Sequence, residues 1–103
     1  MVMTYSSDKL KTVVEWMGML ASKESIENAG FDVVRIGFDG TRLVALGKSP
    51  NSGRGVVGKG LYPDGDEWHW NGGDYKDDFE DAKSEYDHMV LYDVWIASEG
   101  DVE

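Results

Sequence analysis

The chain has 103 residues, no cysteine, 41% hydrophobic residues and a formal charge of −10. That length and apolar content suit one globular domain with a modest core and exclude a disordered chain, and the missing cysteines exclude a disulfide framework, thiolate chemistry and Cys-based zinc sites. Residues 1–60 carry six acids against eight Lys and Arg, residues 61–103 fourteen acids against two lysines, so the C-terminal part repels nucleic acid and anionic membrane and favours a basic protein surface or a cation.

The N-terminal "MVMTYSSDKLKTVVEWMGML" has no basic stretch ahead of an apolar run, unlike a signal peptide. No apolar run approaches the length of a membrane span. A cytoplasmic setting is expected. Ser6 or Ser7 is placed to cap a helix from Asp8, and Leu10, Val13, Val14, Met17, Leu20 and Ala21 follow at helical spacing. Ser22 restarts a short turn through Ile26 and Ala29, and Gly30 is a stop signal. The pattern predicts one broken helix over 8–29.

"FDVVRIGFDGTRLVALG" predicts a hairpin, because Asp-Gly suits a two-residue type I′ turn. With Asp39-Gly40 as the turn, Phe38 faces Thr41, Ile36 faces Leu43 and Val34 faces Ala45, which brings Arg35 near Arg42 on the other face. Residues 48–55 are a loop by composition. A second hairpin is expected near 55–62 and 66–71, turning at Pro63-Asp64-Gly65, with Trp68 and Trp70 on one face and His69 on the other. Asp74 is then expected to cap a helix over 75–86. The last strand, 88–97, is apolar on both faces except at Asp93, as a central or well-covered strand would be. Together these elements predict a single α+β domain over 1–103, in the order α-β-β-β-β-α-β. Its sheet is mostly antiparallel and five-stranded, with both helices packed on one face and a frayed tail at 98–103.

Two motifs fail on their context. Gly53, Gly55 and Gly58 satisfy G-x-G-x-x-G, and Gly53 to Lys59 approaches a P-loop. A phosphate site needs a helix directly after the glycines, and a P-loop also needs Ser or Thr after the lysine. Here Gly60 follows Lys59, and then a turn. Gly58 and Gly60 read instead as a bulge or a close backbone approach. Asp64-Gly65-Asp66 begins like a calcium loop, but Trp68 stands where a ligand belongs. His69 and His88 lack a third ligand at close spacing. No nucleophile elbow occurs. No enzymatic activity, cofactor or metal is therefore expected.

The densest charge lies in "DGDEWHWNGGDYKDDFEDAKSEYD", residues 64–87, with ten acids and two lysines. On a helix over 75–86, Tyr75, Phe79, Ala82 and Tyr86 form an apolar stripe, and Asp77, Asp78, Asp81 and Glu85 form a row without lysine. Acids in the first turn complement the helix dipole. Like pairs at i,i+4, as Asp77–Asp81 and Asp81–Glu85 would be, destabilise by ~0.2–0.5 kcal/mol each. An acidic row that costs stability points to a cationic partner. The expected partner-facing set is Asp64, Asp66, Glu67, Asp74, Asp77, Asp78, Asp81 and Glu85. Of the tryptophans, Trp95 and at least one of Trp68 and Trp70 are expected in the core, the other serving as a surface anchor.

The reading that follows is a small acidic inhibitor that presents a DNA-like negative face to a basic nucleic-acid-binding protein or defence enzyme. Acidic chains of phage or mobile-element type share this size and composition. It would not bind nucleic acid or membrane itself. Two alternatives remain open from sequence. One is an immunity protein that neutralises a cationic toxin. The other is a small ligand- or calcium-binding domain, or an enzyme, that uses the glycine loop and His69.

Overall fold

Strand alternation sets the layers. The computed structural model describes residues 7–97. Its elements are α1 (Ser7–Leu20), β1 (Glu27–Asn28), β2 (Phe31–Phe38), β3 (Leu43–Lys48), β4 (Gly55–Lys59), β5 (Tyr62–Asp64), β6 (Glu67–His69), β7 (Gly72–Lys76), α2 (Phe79–Met89) and β8 (Tyr92–Ile96). The expected cap at Ser6 and the tail 98–103 lie outside the described residues. The α+β class and the antiparallel sheet stand as expected. The sheet runs β1-β2-β3-β4-β7, with β8 also paired to β2, and β5 and β6 form a separate two-stranded hairpin.

In β3, Leu43 and Ala45 point to one face and Val44 and Leu46 to the other, and all four are fully buried. A central strand that is apolar on both sides needs cover on both. Val13 and Leu20 of α1 join Leu43, Ala45, Ile36, Leu61, Trp68 and Trp95 on the first face. Ala82 and Tyr86 of α2 join Val44, Leu46 and Val57 on the second. The helices therefore lie on opposite faces, which corrects the expectation of one covered face. Trp95 and Trp68 are core residues, and Trp70 is half-buried against the same cluster.

Local geometry corrects several boundaries. The first helix ends at Leu20, and residues 27–28 pair antiparallel with Phe31 and Asp32. Ala29 and Gly30, at φ of 56° and 82°, turn β1 into β2. Two successive positive φ values are what a type I′ turn requires, so Gly30 closes a hairpin and does not stop a helix. The β2–β3 register pairs Phe38 with Leu43 and Ile36 with Ala45, two residues away from the expected partners, so side-chain faces are kept. Gly40 has φ of 105°. Asp39 makes the turn by side-chain capture: its Oδ1 accepts from the amides of Thr41 and Arg42, both at 2.8 Å. Arg35 sits opposite Leu46, not beside Arg42. A bulge at Val34 lets Val33 and Ile36 share the first face while Val34 packs on the second.

The second hairpin is smaller than expected. After β4, Gly60 (φ 73°) and Leu61 both donate to the Leu43 carbonyl, at 3.1 and 3.0 Å, and the chain leaves the sheet. The hairpin turns at Gly65-Asp66, since Asp64 pairs with Glu67. The neighbour of β4 is β7: Val57 pairs with Asp74 and Val56 with Tyr75. Residues 72–76 are thus a strand where a helix start was expected, and the Tyr75 ring packs on Phe31, with centroids 5.6 Å apart. Helix α2 begins later, capped by Asp78, whose side chain accepts from the Glu80 amide at 3.2 Å. The last strand lies at the sheet edge rather than the centre. Among the described residues it pairs only with β2, and Leu91, Tyr92 and Ile96 are exposed.

Missing side chains let α2 approach the sheet. A Cβ at Gly55 would lie 2.8 Å from the Ala82 Cβ and 2.9 Å from the Phe79 Cα, and one at Gly37 would lie 2.7 Å from both the Tyr86 hydroxyl and Val90 Cγ1. On the other face, Trp70 lies over Gly58, where a Cβ would run into its ring. The glycine-rich strand is thus a packing surface. Gly55→Ala should destabilise the fold by ~1–3 kcal/mol through overpacking. Gly18→Ala, in open space on α1, should stabilise by up to ~1 kcal/mol. Urea denaturation of both variants checks these opposite signs.

Candidate functional site

The fold divides the acids expected to act together. Asp64, Asp66 and Glu67 lie at the β5–β6 tip, on the face where Trp68 is buried. Asp78 and Asp81 lie at the start of α2, which packs on the opposite face. Asp74 and Glu85 face each other across β7 and α2 within an ion-pair network. Trp68 is 2% exposed and belongs to the core, whereas Trp70 is half-buried with its ring over Gly58.

The network explains why the helix row is not uniformly acidic. Lys76 Nζ lies 2.9 Å from Glu85 Oε1 and 3.6 Å from Asp74 Oδ2, and Lys59 Nζ lies 3.9 Å from Glu85 Oε2. Strand pairing brings these lysines to a helical acid that the sequence separates from them. A hydrogen bond with the Glu85 side chain, followed by the charges of Lys76 and Lys59, holds the Asp74 carboxyl below its ordinary range. The Glu85 hydrogen bond and then the Asp74 charge raise Lys76 above the usual lysine value. Asp87 is similarly used, by Lys83 at 3.7 Å and Arg35 at 4.0 Å.

Beneath α2, Tyr86 is fully buried and its hydroxyl donates to Asp93 Oδ1 at 2.6 Å. Burial, then this hydrogen bond, pushes the phenol far above its ordinary value. It stays neutral and acts as a hydrogen-bond donor.

The start of α2 is different. Asp78, Glu80 and Asp81 are exposed and have no ion-pair partner among the described residues. Asp77 precedes the helix, fully exposed, with Arg54 Nη2 4.0 Å away. At that separation and exposure the pair contributes little. The Phe79 amide donates to the Gly53 carbonyl at 2.9 Å, and Lys48 lies 5.2 Å from the Phe79 ring centroid, so the helix start is tied to the β3–β4 loop. Glu80 was missed from sequence because the expected helix began four residues earlier and put it off the row. The cap pattern of Asp78 followed by Phe79-Glu80-Asp81 was the available signal.

At the other end, His69 Nδ1 lies 3.1 Å from Asn28 Oδ1, and Nε2 lies 3.3 Å from Glu67 and 3.5 Å from Asp64. His88 Nδ1 lies 2.9 Å from the Ser84 carbonyl on α2. Among the described residues, no group of three or more His, Asp or Glu side chains is arranged to hold a metal ion. No helix among them is long and apolar enough to cross a membrane. The glycine stretch enters β4 and then the Gly60 kink, so the chain does not run from these glycines into a helix, as a phosphate-binding loop does. Comparison with protein-family models, curated proteins and solved structures finds no match for this chain.

The sign of the linkage follows from the two shifts. A lowered Asp74 contributes stability above its ordinary value of 3.8, lost as pH falls. A raised Lys76 contributes stability below its ordinary value of 10.5, lost as pH rises. Wild type should therefore exceed Lys76→Met in denaturation midpoint between those values. The two proteins should converge below the lower and above the upper, in midpoints recorded across pH.

Proposed function

We propose that the chain acts by binding a basic protein surface through the acidic start of α2, and that the partner is a protein that otherwise holds nucleic acid there. The observation that carries this reading is selective pairing. Lysine and arginine pair with Asp74, Glu85, Asp87 and Asp93, and Arg54 approaches only the fully exposed Asp77, while Asp78, Glu80 and Asp81 have no ion-pair partner among the described residues. Acids in a first helical turn are stabilised by the helix dipole, so this concentration of charge is compatible with a stable fold. Repulsion between like charges along the helix adds no support, because Asp77 is outside α2 and Glu85 is paired. Charge of one sign steers a basic partner and accelerates association at low salt. Occupation of a phosphate-binding surface by carboxylates excludes nucleic acid from it. The β5–β6 acids, on the opposite face, are not part of this surface.

The test uses immobilised wild type and the Asp77→Lys/Asp81→Lys variant with extracts of the native cell. The variant should lose up to ~1 kcal/mol of stability at the Asp81 position, through the dipole, and remain folded. The expected result is a nucleic-acid-binding protein retained by wild type only. Its purified complex should associate ~tenfold or more slowly with the variant at low salt and release nucleic acid in proportion to the chain bound. Equal retention by both proteins, or simultaneous binding of chain and nucleic acid, contradicts the proposal.

A further inference from the structure

Two clefts in the molecule differ in charge. The one beside His69, about 340 Å³, has Glu27, Asp66 and Glu67 in its wall. The other, about 560 Å³, lies between α1, the β2–β3 turn and the β4–β5 connection. Among the described residues no Asp or Glu lines it, although 20 of the chain's 103 residues are acidic. Arg42 is the one charged residue among the described residues of its wall.

The cleft has an apolar floor and a fixed cation. Val13 and Leu61 are 5% and 1% exposed, and the Leu61 backbone is held by its bond to the Leu43 carbonyl. Trp16 and Tyr62 add aromatic surface, and Asn71 adds an amide. Arg42 Nε lies 3.3 Å from Asp39 Oδ2, while Oδ1 of the same carboxylate caps the turn backbone. The arginine is thus tethered at Nε, and its terminal nitrogens have no acceptor among the described residues. A guanidinium presents paired donors that match a planar carboxylate. Small-molecule sites combine this much volume, an apolar lining and a few placed polar groups.

We propose that this cleft binds a small aromatic carboxylate, with the ring against Val13, Leu61, Trp16 and Tyr62 and the carboxylate on Arg42. A wall whose described residues carry one cation and no carboxylate favours an anion, even on a chain of net charge −10. The apolar floor selects for a ring over a small inorganic anion. Asp39 neutralises part of the Arg42 charge, so recognition rests on the donor geometry and the apolar contact together. The site is separate from the acidic start of α2 and does not depend on the partner proposed there.

The experiment is a titration of the ¹⁵N-labelled full chain with benzoate, 2-naphthoate and indole-3-acetate, and with 2-naphthamide as a neutral isostere. Saturable shifts are expected at the amides of Thr41, Arg42, Leu61 and Tyr62 for at least one carboxylate. Binding of 2-naphthamide should be weaker by ~tenfold or more, as loss of a charge-assisted pair implies. Arg42→Gln should lose a similar factor. Arg54→Gln, an arginine of similar exposure outside the cleft, should bind like wild type. The amide comparison needs no variant and stands if Arg42→Gln perturbs the turn. The proposal is overturned by no saturable shift at these amides up to about 10 mM, a range in which ligands of this size show themselves. It is also overturned by equal binding of acid and amide, by equal loss in the two arginine variants, or by shifts confined to the His69 cleft.

Discussion

The seating of α2 on the sheet is the constraint on which the functional surface depends. Gly55 admits Phe79 and Ala82, Gly37 admits Tyr86 and Val90, and the Tyr86 hydroxyl reaches Asp93 on β8. Each contact needs the next. Without the two gaps the helix would stand off the strands and leave Val44, Leu46 and Val57 uncovered. With the helix down, Asp93 gives the buried hydroxyl its acceptor, as a polar group under a helix requires. The same seat aims the start of α2 past the β3–β4 loop, where the amide of Phe79 meets the carbonyl of Gly53.

Charge is then allocated by the fold rather than by the sequence run. Lys59 and Lys76 stand on neighbouring strands and converge on Glu85, and Arg35 on β2 reaches between Asp87 and Asp93. The cations are used near the sheet, so the acids left over gather at two remote ends. One is the start of α2; the other is the β5–β6 tip, where His69 lies between two carboxylates. The cleft at Arg42 is an exception to this acidity, and it lies where α1 and the first hairpin meet.

Much of the architecture was legible in the residues because alternation and helical spacing are local. The β2 and β3 strands, the core placement of Trp95 and of one of the pair Trp68 and Trp70, and the Phe79, Ala82 and Tyr86 stripe all follow from period and composition; which tryptophan of the pair is buried does not. What was not legible depended on contacts distant in sequence. Tyr75 fits the helical stripe by angle, yet strand β4 offers residues 72–76 a ladder, and pairing with Val56 and Val57 prevails. Ala29 carries a positive φ that its side chain disfavours, so no turn signal marked β1. The apolar β8 reads as a central strand, but its second edge has no neighbour among the described residues. Of the candidate site, the acid content of the α2 start was visible. The capture of Glu85 by Lys59 and Lys76 was not, because it arises from three separate elements.

Amide hydrogen exchange along α2 tests this seating most directly. If the helix is held by Gly37, Gly55 and Tyr86, the amides of residues 83–89 should exchange as slowly as those of β3 and β4. They should follow the same dependence on denaturant, because opening them requires global unfolding. Exchange of α2 much faster than the sheet, insensitive to denaturant, would show a helix that opens on its own. The acidic start of α2 would then have no fixed place on the molecule, which contradicts its role as a surface held rigid by the sheet.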